Sequence, residues 1–372
     1  MLAHRTCTGA GPSGRVLLPV KTKSRPVSCR VFTQPKSTQT QAPFEFGFKA
    51  EQGLRDGMED EVHCYWDEQH EYIYAGVYDG HGGPAAANWL KQHLHTTVAK
   101  GMEIYLPKPH IFHKGHNPER PPELTDILIK AFEDADDHLL NHLEKLGGEE
   151  LASAGSTASV AVIRKDRVVL ANVGDSQAFL MRNGRELSLV TPHRVYGQGP
   201  DVQAEVDRIK AAGGWIHDGR VCNILAVSRA FGDWEFKGKG LQSLLQTGVT
   251  REYWPQAFAD AQKFTSNPVI VTPDATDTDL TEDDEFLVLS TDGLWDVMPA
   301  REAMQWARRD FLKGLRPAQI AESLIQVALK RYTSDNTSTV VVDLKGPEYW
   351  AEQAAKQKKG ISLFGGLFGG KK

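Results

Sequence analysis

The amino-acid sequence predicts an α+β fold in which sheets and helices form a layered sandwich. Short apolar runs of strand type occur at residues 159–163, 168–173, 269–271, 286–289 and 339–342. Apolar residues recur with helical spacing over residues 126–143, 300–311 and 318–331. Because strands are grouped with strands and helices with helices, without strict alternation, the pattern favours an α+β sandwich over a doubly wound fold.

The 372-residue chain has the composition of an ordinary globular protein, with 40% hydrophobic and 24% charged residues. No run approaches the roughly 18 apolar residues that a membrane-spanning helix requires. The four cysteines lie far apart and form neither a zinc-binding pattern nor a disulfide framework. Residues 45–345 contain no linker and no repeat, so we expect them to form one domain.

Residues 1–44 differ in charge from the rest of the chain. They contain seven Lys and Arg, ten Ser and Thr, and no Asp or Glu, which is typical of an organellar transit peptide. A disordered basic tail has the same composition, whereas the absence of an apolar core segment argues against a secretory signal. Without these seven, 36 of the 43 basic residues remain against 48 acidic ones, and this negative balance argues against nucleic acid as a partner.

A glycine-rich motif follows one of the predicted strands. Residues 71–75, Glu-Tyr-Ile-Tyr-Ala, indicate a buried strand that leads into Tyr78-Asp79-Gly80-His81-Gly82-Gly83. Asp-Gly alone would indicate a hairpin turn. The residues from Pro84 onward begin a helix and not a return strand. Asp79 and His81 therefore lie at a strand-to-helix corner, where functional side chains are common.

Acidic side chains flank several other predicted strands. The strands at 168–173, 286–290, 337–342 and 62–65 are flanked by Asp175, Asp292, Asp335 and the pair Glu59-Asp60, respectively. Ionised carboxylates beside buried strands are costly unless a cation compensates them. Scattered Asp residues without Cys or paired His indicate a hard oxygen site for Mg²⁺ or Mn²⁺, and the calcium-loop pattern does not occur. We therefore expect Asp79 to be a metal ligand.

Seven motifs together resemble those of the metal-dependent type-2C serine/threonine protein phosphatases. They occur in the family's order, at residues 55–60 (RDGMED), 78–83 (YDGHGG), 155–158 (GSTA), 174–176 (GDS), 226–233 (AVSRAFGD), 291–296 (TDGLWD) and 335–336 (DN). One such motif is weak evidence, but seven in sequence are specific. The resemblance implies a four-layer α-β-β-α sandwich with two central antiparallel β-sheets and a bimetal centre at one edge.

The resemblance also implies roles for individual residues. Asp79 would bridge two Mn²⁺ or Mg²⁺ ions, one of them held further by the Gly80 carbonyl and Glu59. The second ion would be completed by Asp292 and Asp335. The remaining implied positions are Asp175 and Asp296 for a weaker third ion, Arg55 for the phosphate, His81 as general acid and Asp60 as a further catalytic candidate. Alternatively, Asp60 and Asp296 only hydrogen-bond neighbouring ligands or cap turns, and residues 226–233 are expected to support the site by packing.

The implied reaction is hydrolysis of phosphoserine and phosphothreonine on proteins by direct attack of a metal-bridging water. Arg55 would hold two phosphate oxygens with its planar guanidinium, and His81 would protonate the leaving oxygen. Three alternatives stay open: a phosphatase of small phosphate esters, a phosphatase of another plastid phosphoprotein, and an inactive binding module on the same fold.

Three segments, residues 193–197, 208–214 and an inserted helical element at 234–268, are similar to the chloroplast thylakoid-associated branch of this family. That branch acts on phosphorylated light-harvesting antenna proteins. We therefore expect residues 1–44 to be a plastid transit peptide, and the protein to be a monomer in the stroma or on the stromal face of the thylakoid membrane. The segments Thr191-Pro192-His193-Arg194 and Cys222-Asn223 depart from the family pattern, which puts loop geometry and substrate choice in question.

The C-terminal tail, residues 346–372, is rich in Lys, Gly and Phe. Its end, KQKKGISLFGGLFGGKK, carries five lysines around five large apolar residues. We expect this segment to contact membranes peripherally, through attraction of the lysines to anionic lipid and shallow insertion of the apolar side chains. Its glycines predict that it forms no firm helix. A disordered tail without a target is the alternative.

Overall fold

The computed structural model describes residues 41–105, 123–148 and 153–368, which belong to one unit spanning Thr40–Lys372. The strands are β1 (Glu45–Glu51), β2 (Glu61–Asp67), β3 (Tyr72–Tyr78), β4 (Gly80–His81), β5 (Gly155–Ser156), β6 (Ala158–Ile163), β7 (Arg167–Val173), β8 (Gln177–Arg182), β9 (Arg185–Ser188), β10 (Ile216–His217), β11 (Arg220–Val221), β12 (Phe231–Gly232), β13 (Asp274–Asp279), β14 (Asp284–Ser290) and β15 (Thr337–Asp343).

The helices cover both outer faces of the strand layers. They are α1 (Ala85–Tyr105), α2 (Leu124–Leu146), α3 (Pro200–Ala211), α4 (Gly240–Thr250), α5 (Gln256–Ala261), α6 (Asp292–Trp295), α7 (Ala300–Leu312), α8 (Pro317–Lys330) and α9 (Pro347–Phe368), with a 3₁₀ turn at Trp234–Phe236. Within the described ranges, no helix is both long and apolar enough to cross a bilayer.

Two five-stranded antiparallel sheets form the centre of the molecule. One has the strand order β1-β15-β14-β8-β9 and the other has the order β13-β7-β6-β3-β2. A three-stranded sheet, β12-β5-β4, and the hairpin β10-β11 lie beside them. All pairs in the two large sheets are antiparallel, as the resemblance implied.

Alternation along the strands explains the four layers. On β3, Tyr72 and Tyr74 pack with helices α1 and α2, whereas Ile73 and Val77 face the second sheet and join the core between the sheets. On β14, Phe286 and Val288 pack with α7, α8 and α9. Strands that are buried on both faces read as continuous apolar runs, which is why the sequence showed them so clearly. The α-β-β-α sandwich is confirmed.

Most of the predicted elements are present, and one of the predicted strands is wrong. The helical patterns at 126–143, 300–311 and 318–331 fall on α2, α7 and α8, and the insert at 234–268 is helical in α4 and α5. Residues 269–271 are not a strand, because only Ile270 forms a bridge, with Arg229. Val269 is apolar because it belongs to a small buried cluster, and Pro268 and Pro273 on either side cannot donate ladder hydrogen bonds.

The expectation that the C-terminal glycines prevent a firm helix is also wrong. Helix α9 runs from Pro347 to Phe368 and includes Gly360, Gly365 and Gly366. Its first turns are fixed because Trp350 is buried against Phe311 on α7. Once a helix is nucleated, each further residue adds a hydrogen bond at little cost, so propagation outweighs the low propensity of glycine.

Candidate metal centre and active site

The strand registers bring the predicted acidic residues to one edge of the sandwich. In the sheet that contains β3, Tyr78 pairs with Glu61, and Val173 on β7 pairs with Ala158 on β6. The residues just beyond these positions are therefore neighbours: Asp60, Asp79 and Asp175. In the other sheet, Glu51 pairs with Thr337, and Ser290 with Thr339, which places Asp292 and Asp335 beside the loop that carries Arg55 and Glu59.

Three of these carboxylates form a compact cluster. One oxygen from each of Asp79, Asp175 and Asp292 lies within 4.8 Å of the other two. Asp292 Oδ1 is buried and has no hydrogen-bond partner among the described residues. A buried, unpaired carboxylate oxygen is rare in a folded protein unless a ligand satisfies it. The oxygen-only donor set and this orphaned atom fit a hard divalent cation such as Mg²⁺ or Mn²⁺.

The electrostatics of the cluster indicate the same need for a cation. Burial, followed by repulsion from Asp60, Asp292 and Asp175, raises the pKa of Asp79 well above its ordinary value. Burial and the neighbouring carboxylates also raise the pKa of Asp292 to about 8. Both shifts mean that the ionised forms are disfavoured without compensation. A bound divalent ion would reverse this balance and keep the carboxylates ionised at neutral pH.

Arg55 and Asp335 form an ion pair at the rim of the cluster. Arg55 Nη2 donates to Asp335 Oδ2 at 2.6 Å, and Arg55 Nε donates to the Ser334 carbonyl at 3.2 Å. The Arg55 side chain is 50% exposed, so its guanidinium faces solvent at the mouth of the site. This arrangement fixes the orientation of the guanidinium while leaving it accessible to an incoming anion.

Asn336 holds the loop that carries Arg55 and Glu59, and its role was missed at the level of sequence. Its Nδ2 donates to the carbonyls of Gln52 and Gly57 at 2.7 and 3.0 Å, and its Oδ1 accepts from the Glu59 backbone at 2.8 Å. The sequence offered the signal, because Asn336 directly follows Asp335 in one of the seven motifs. The amide side chain of Asn336 thus positions the loop that brings Arg55 and Glu59 beside the carboxylate cluster.

Glu59 and Gly80 lie close together, as the resemblance implied. Glu59 Oε1 accepts a hydrogen bond from the Gly83 backbone at 2.9 Å. A Cβ atom at Gly80 would collide with the Glu59 carbonyl oxygen, so only glycine fits there. Glycine at position 80 therefore permits the close approach of the two backbone segments that carry Glu59 and Asp79.

His81 is paired with Asp233, which the sequence analysis did not identify as a site residue. His81 Nε2 lies 2.9 Å from Asp233 Oδ1 and 3.0 Å from Oδ2. Gly155 leaves room for the pair, because a Cβ there would meet both side chains. Asp233 adopts a left-handed conformation with φ of 49°, which is uncommon outside glycine. Burial alone would lower the pKa of His81, but Asp233 outweighs burial and raises it.

Asp60 and Asp296 occupy different environments. Asp60 is buried, its Oδ2 accepts from Thr291 Oγ1 at 2.9 Å, and burial raises its pKa to about 7. Asp296 is 57% exposed, caps α6 through its backbone and lies 3.4 Å from Arg194 Nη2. Asp60 therefore supports the strand ends from within, whereas Asp296 stands at the solvent side of the cluster.

A sandwich of two antiparallel sheets with a carboxylate cluster, an arginine and a histidine at one edge is the arrangement that the resemblance to metal-dependent phosphatases implied. The sequence model of the family described as Protein phosphatase 2C matches residues 44–337. The chain belongs to this family and is a metal-dependent protein serine/threonine phosphatase of type 2C, so its substrates are phosphoproteins.

Similar proteins occur in plants. The chain is 36% identical over 350 residues to Protein phosphatase 2C 57 of Arabidopsis thaliana, covering 94% of this chain and 87% of the relative. It is 30% identical to Probable protein phosphatase 2C 2 of Oryza sativa subsp. japonica, covering 94% and 88% of the two chains. Among solved structures, serine-threonine phosphatase 2C from Toxoplasma gondii has a TM-score of 0.62 at 22% identity, covering 82% of this chain and 97% of that chain. At 22% identity, the similarity to this solved structure shows a shared fold only.

Proposed function

We propose that two divalent ions, Mn²⁺ or Mg²⁺, bind at the acidic cluster and serve the hydrolysis of phosphoserine and phosphothreonine. The observation that carries this assignment is the approach of Asp79, Asp175 and Asp292 oxygens to within 4.8 Å of one another. Asp79 would be shared between the ions. The Gly80 carbonyl and Glu59 would serve one ion, and Asp292 with Asp335 would serve the other.

When bound, the divalent ions supply Lewis-acid polarisation of the phosphate and of the attacking water. Arg55 would bind the phosphate oxygens, because its guanidinium is exposed and its orientation is fixed by Asp335. Asp233 holds His81 at Nε2, which leaves the Nδ1 proton to be given to the leaving serine or threonine oxygen. The buried Asp60, which accepts a hydrogen bond from Thr291, would hold the start of β2 in place beside Glu59 and would not contact substrate.

A comparison of substrates tests this proposal against hydrolysis of small phosphate esters. With Mn²⁺ present, the mature chain should hydrolyse a phosphothreonine peptide with a kcat/KM at least about tenfold above that for glycerol phosphate, because a peptide adds binding energy around the site. Equal values for the two substrates would favour a small-ester phosphatase. No turnover of either at any Mn²⁺ concentration would indicate an inactive binding module.

We also propose that the protein acts in chloroplasts, as a monomer, on phosphorylated antenna proteins of the thylakoid membrane. Two features support this: the basic, acid-free segment at 1–44, which lies almost wholly outside the described residues, and the inserted helical element that contains α4 and α5. Phosphoproteomics of isolated plastids with and without the protein is the test. Antenna phosphosites should accumulate in its absence, and an unchanged antenna with other sites raised would redirect the proposal to another plastid phosphoprotein.

We further propose that residues 356–372 attach the protein peripherally to anionic membranes. Helix α9 extends through most of this segment, and the segment contains five lysines. Each lysine near an anionic surface contributes about 1 kcal/mol, which is enough for weak, salt-sensitive binding. Chains with and without residues 356–372 should differ in co-sedimentation with anionic plastid-lipid vesicles. Equal binding at low salt would show that the tail has no such role.

A further inference from the structure

Arg194 places a guanidinium group against two acidic residues of the metal centre. Its Nε donates to Asp175 Oδ2 at 3.1 Å, and its Nη2 lies 3.4 Å from Asp296 Oδ1. Asp175 is only 6% exposed and is itself a member of the carboxylate cluster with Asp79 and Asp292. A permanent protein cation is therefore in contact with the cluster.

We propose that Arg194 is a built-in cation of the metal centre, which neutralises Asp175 and Asp296 so that the chain holds two divalent ions without a third. An arginine stays charged at every physiological pH, and its planar fork can reach two carboxylates at once. With the guanidinium in place, a divalent ion that used the remaining oxygens of Asp175 and Asp296 would lie close to a positive charge, which opposes its binding. The inference rests on the metal centre proposed above.

The backbone and the neighbouring side chain hold Arg194 in this position. The preceding residue, His193, is 2% exposed, and its Nδ1 accepts from the Gly174 backbone N–H at 3.2 Å. The His193 N–H in turn donates to the Gly174 carbonyl at 2.9 Å. Residues 193 and 174 are thus joined twice, and the residues that follow them, Arg194 and Asp175, are brought face to face.

Two further contacts limit the freedom of the Arg194 side chain. The guanidinium lies over the ring of Tyr196, with 5.2 Å from the guanidinium carbon to the ring centroid. The Arg194 backbone forms a bridge with Val227 of the segment that ends at Asp233. Because the side chain is already ordered, its ion pairs cost little further conformational entropy. A charge fixed in this way competes with a divalent ion better than a flexible surface arginine would.

Counting bound Mn²⁺ tests the proposal without an activity assay. Chelator-stripped protein is titrated with Mn²⁺, and free Mn²⁺ is followed by its EPR signal. The unaltered chain should bind two ions. Arg194→Gln should gain a third site, because a neighbouring positive charge has been removed. The Mn²⁺ concentration that half-fills this site should be at least about tenfold lower than the concentration that half-fills any third site on the parent. Arg316→Gln, which removes an arginine paired with Glu45 at the far end of β15, is the matched control and should bind like the parent.

Asp296→Asn gives a second arm, because it removes one of the two carboxylates that Arg194 contacts. The ion counts of the parent and of Asp296→Asn can be measured even if Arg194→Gln does not fold. On the parent, Asp296→Asn should leave the count at two, and combined with Arg194→Gln it should abolish the extra site. Three ions on the parent, one of them lost in Asp296→Asn, would overturn the role of Arg194 while leaving the bimetal centre intact. Identical counts for Arg194→Gln and the parent would overturn it as well. A parent that binds no Mn²⁺ would instead refute the metal centre on which the inference rests.

Discussion

At the scale of single residues, the site depends on side chains whose partners are far away in the sequence. Asp79, Asp175, Asp292 and Asp335 could be predicted because each stands at the end of a strongly apolar strand. Asp233, Asn336 and Arg194 were missed as site residues, because nothing local reveals that Asp233 meets His81, 152 positions away. Those contacts depend on tertiary packing, which local patterns in a single sequence do not predict.

Replacement of His81 separates its proposed role from general damage to the site. If His81 protonates the leaving oxygen, His81→Ala should lower turnover of a phosphoserine peptide by about 10²–10⁴-fold. The loss should be small for p-nitrophenyl phosphate, whose leaving group needs no proton. His138→Ala, which removes an exposed histidine on α2, is the control. Equal losses for the two substrates would mean that His81 has another role.

At the scale of elements, the sequence predicted the helices that have a strong apolar periodicity and the strands that are continuous apolar runs. Strand β13, with the sequence DATDTD, was not predicted, because it is an edge strand paired only with β7 and is mostly polar. The short strands β4, β5 and β12, which carry His81, Gly155 and the segment before Asp233, were also absent from the prediction. Two-residue strands form because of tertiary contacts and leave no periodic pattern.

A buried ionic network connects α3 to the segment that ends at Asp233. Glu205 on α3 accepts from Arg229 Nη2 at 2.7 Å and from Arg208 Nη2 at 2.8 Å. Burial alone would raise the pKa of Glu205, but the two arginines outweigh burial and lower it to about 2. A lowered folded-state pKa means that the stabilisation is present above the unfolded-state pKa of about 4.3 and is lost as the pH falls toward 2.

Glu205→Gln should therefore lower the free energy of unfolding by about 2 kcal/mol at pH 7. The difference from the parent should narrow as the pH is lowered from about 5 toward 2, since Glu205 of the unfolded parent is protonated in this range before Glu205 of the folded parent. Urea unfolding at several pH values measures both quantities. Glu322→Gln, at an exposed position on α8, is the control and should have little effect. A difference that is independent of pH would show that the charge of Glu205 is not the cause.

At the scale of the whole molecule, folding collects carboxylates from positions 59 to 335 at one edge of two sheets. This concentration of negative charge is unfavourable by itself, as the raised pKa values of Asp79 and Asp292 indicate. The sequence predicted the sandwich and the acidic edge, because both depend on patterns within strands. It predicted compensation by divalent ions but not the contribution of Arg194, which reaches the cluster from a loop.

The presence of metal should consequently decide which of the parent and Asp79→Asn has the higher melting temperature. In chelator, Asp79→Asn should melt about 2–4 °C above the parent, because it removes a buried charge that is disfavoured at neutral pH. With Mn²⁺ the order should reverse, since only the parent gains binding energy from the ions. Differential scanning fluorimetry in both buffers gives the comparison. The same order of melting temperatures in both buffers would contradict the electrostatic description of the cluster.

The most direct test of the central claim is the Mn²⁺-dependent hydrolysis of a phosphothreonine peptide by the parent and by Asp79→Asn. Asparagine keeps the shape of the side chain but lacks the charge that two ions would share. We predict that the parent loses its activity in chelator, recovers it on addition of Mn²⁺, and exceeds Asp79→Asn by more than about a hundredfold at saturating Mn²⁺. Activity of a folded Asp79→Asn variant within about tenfold of the parent would contradict the assignment of Asp79 as the shared ligand of a bimetal centre.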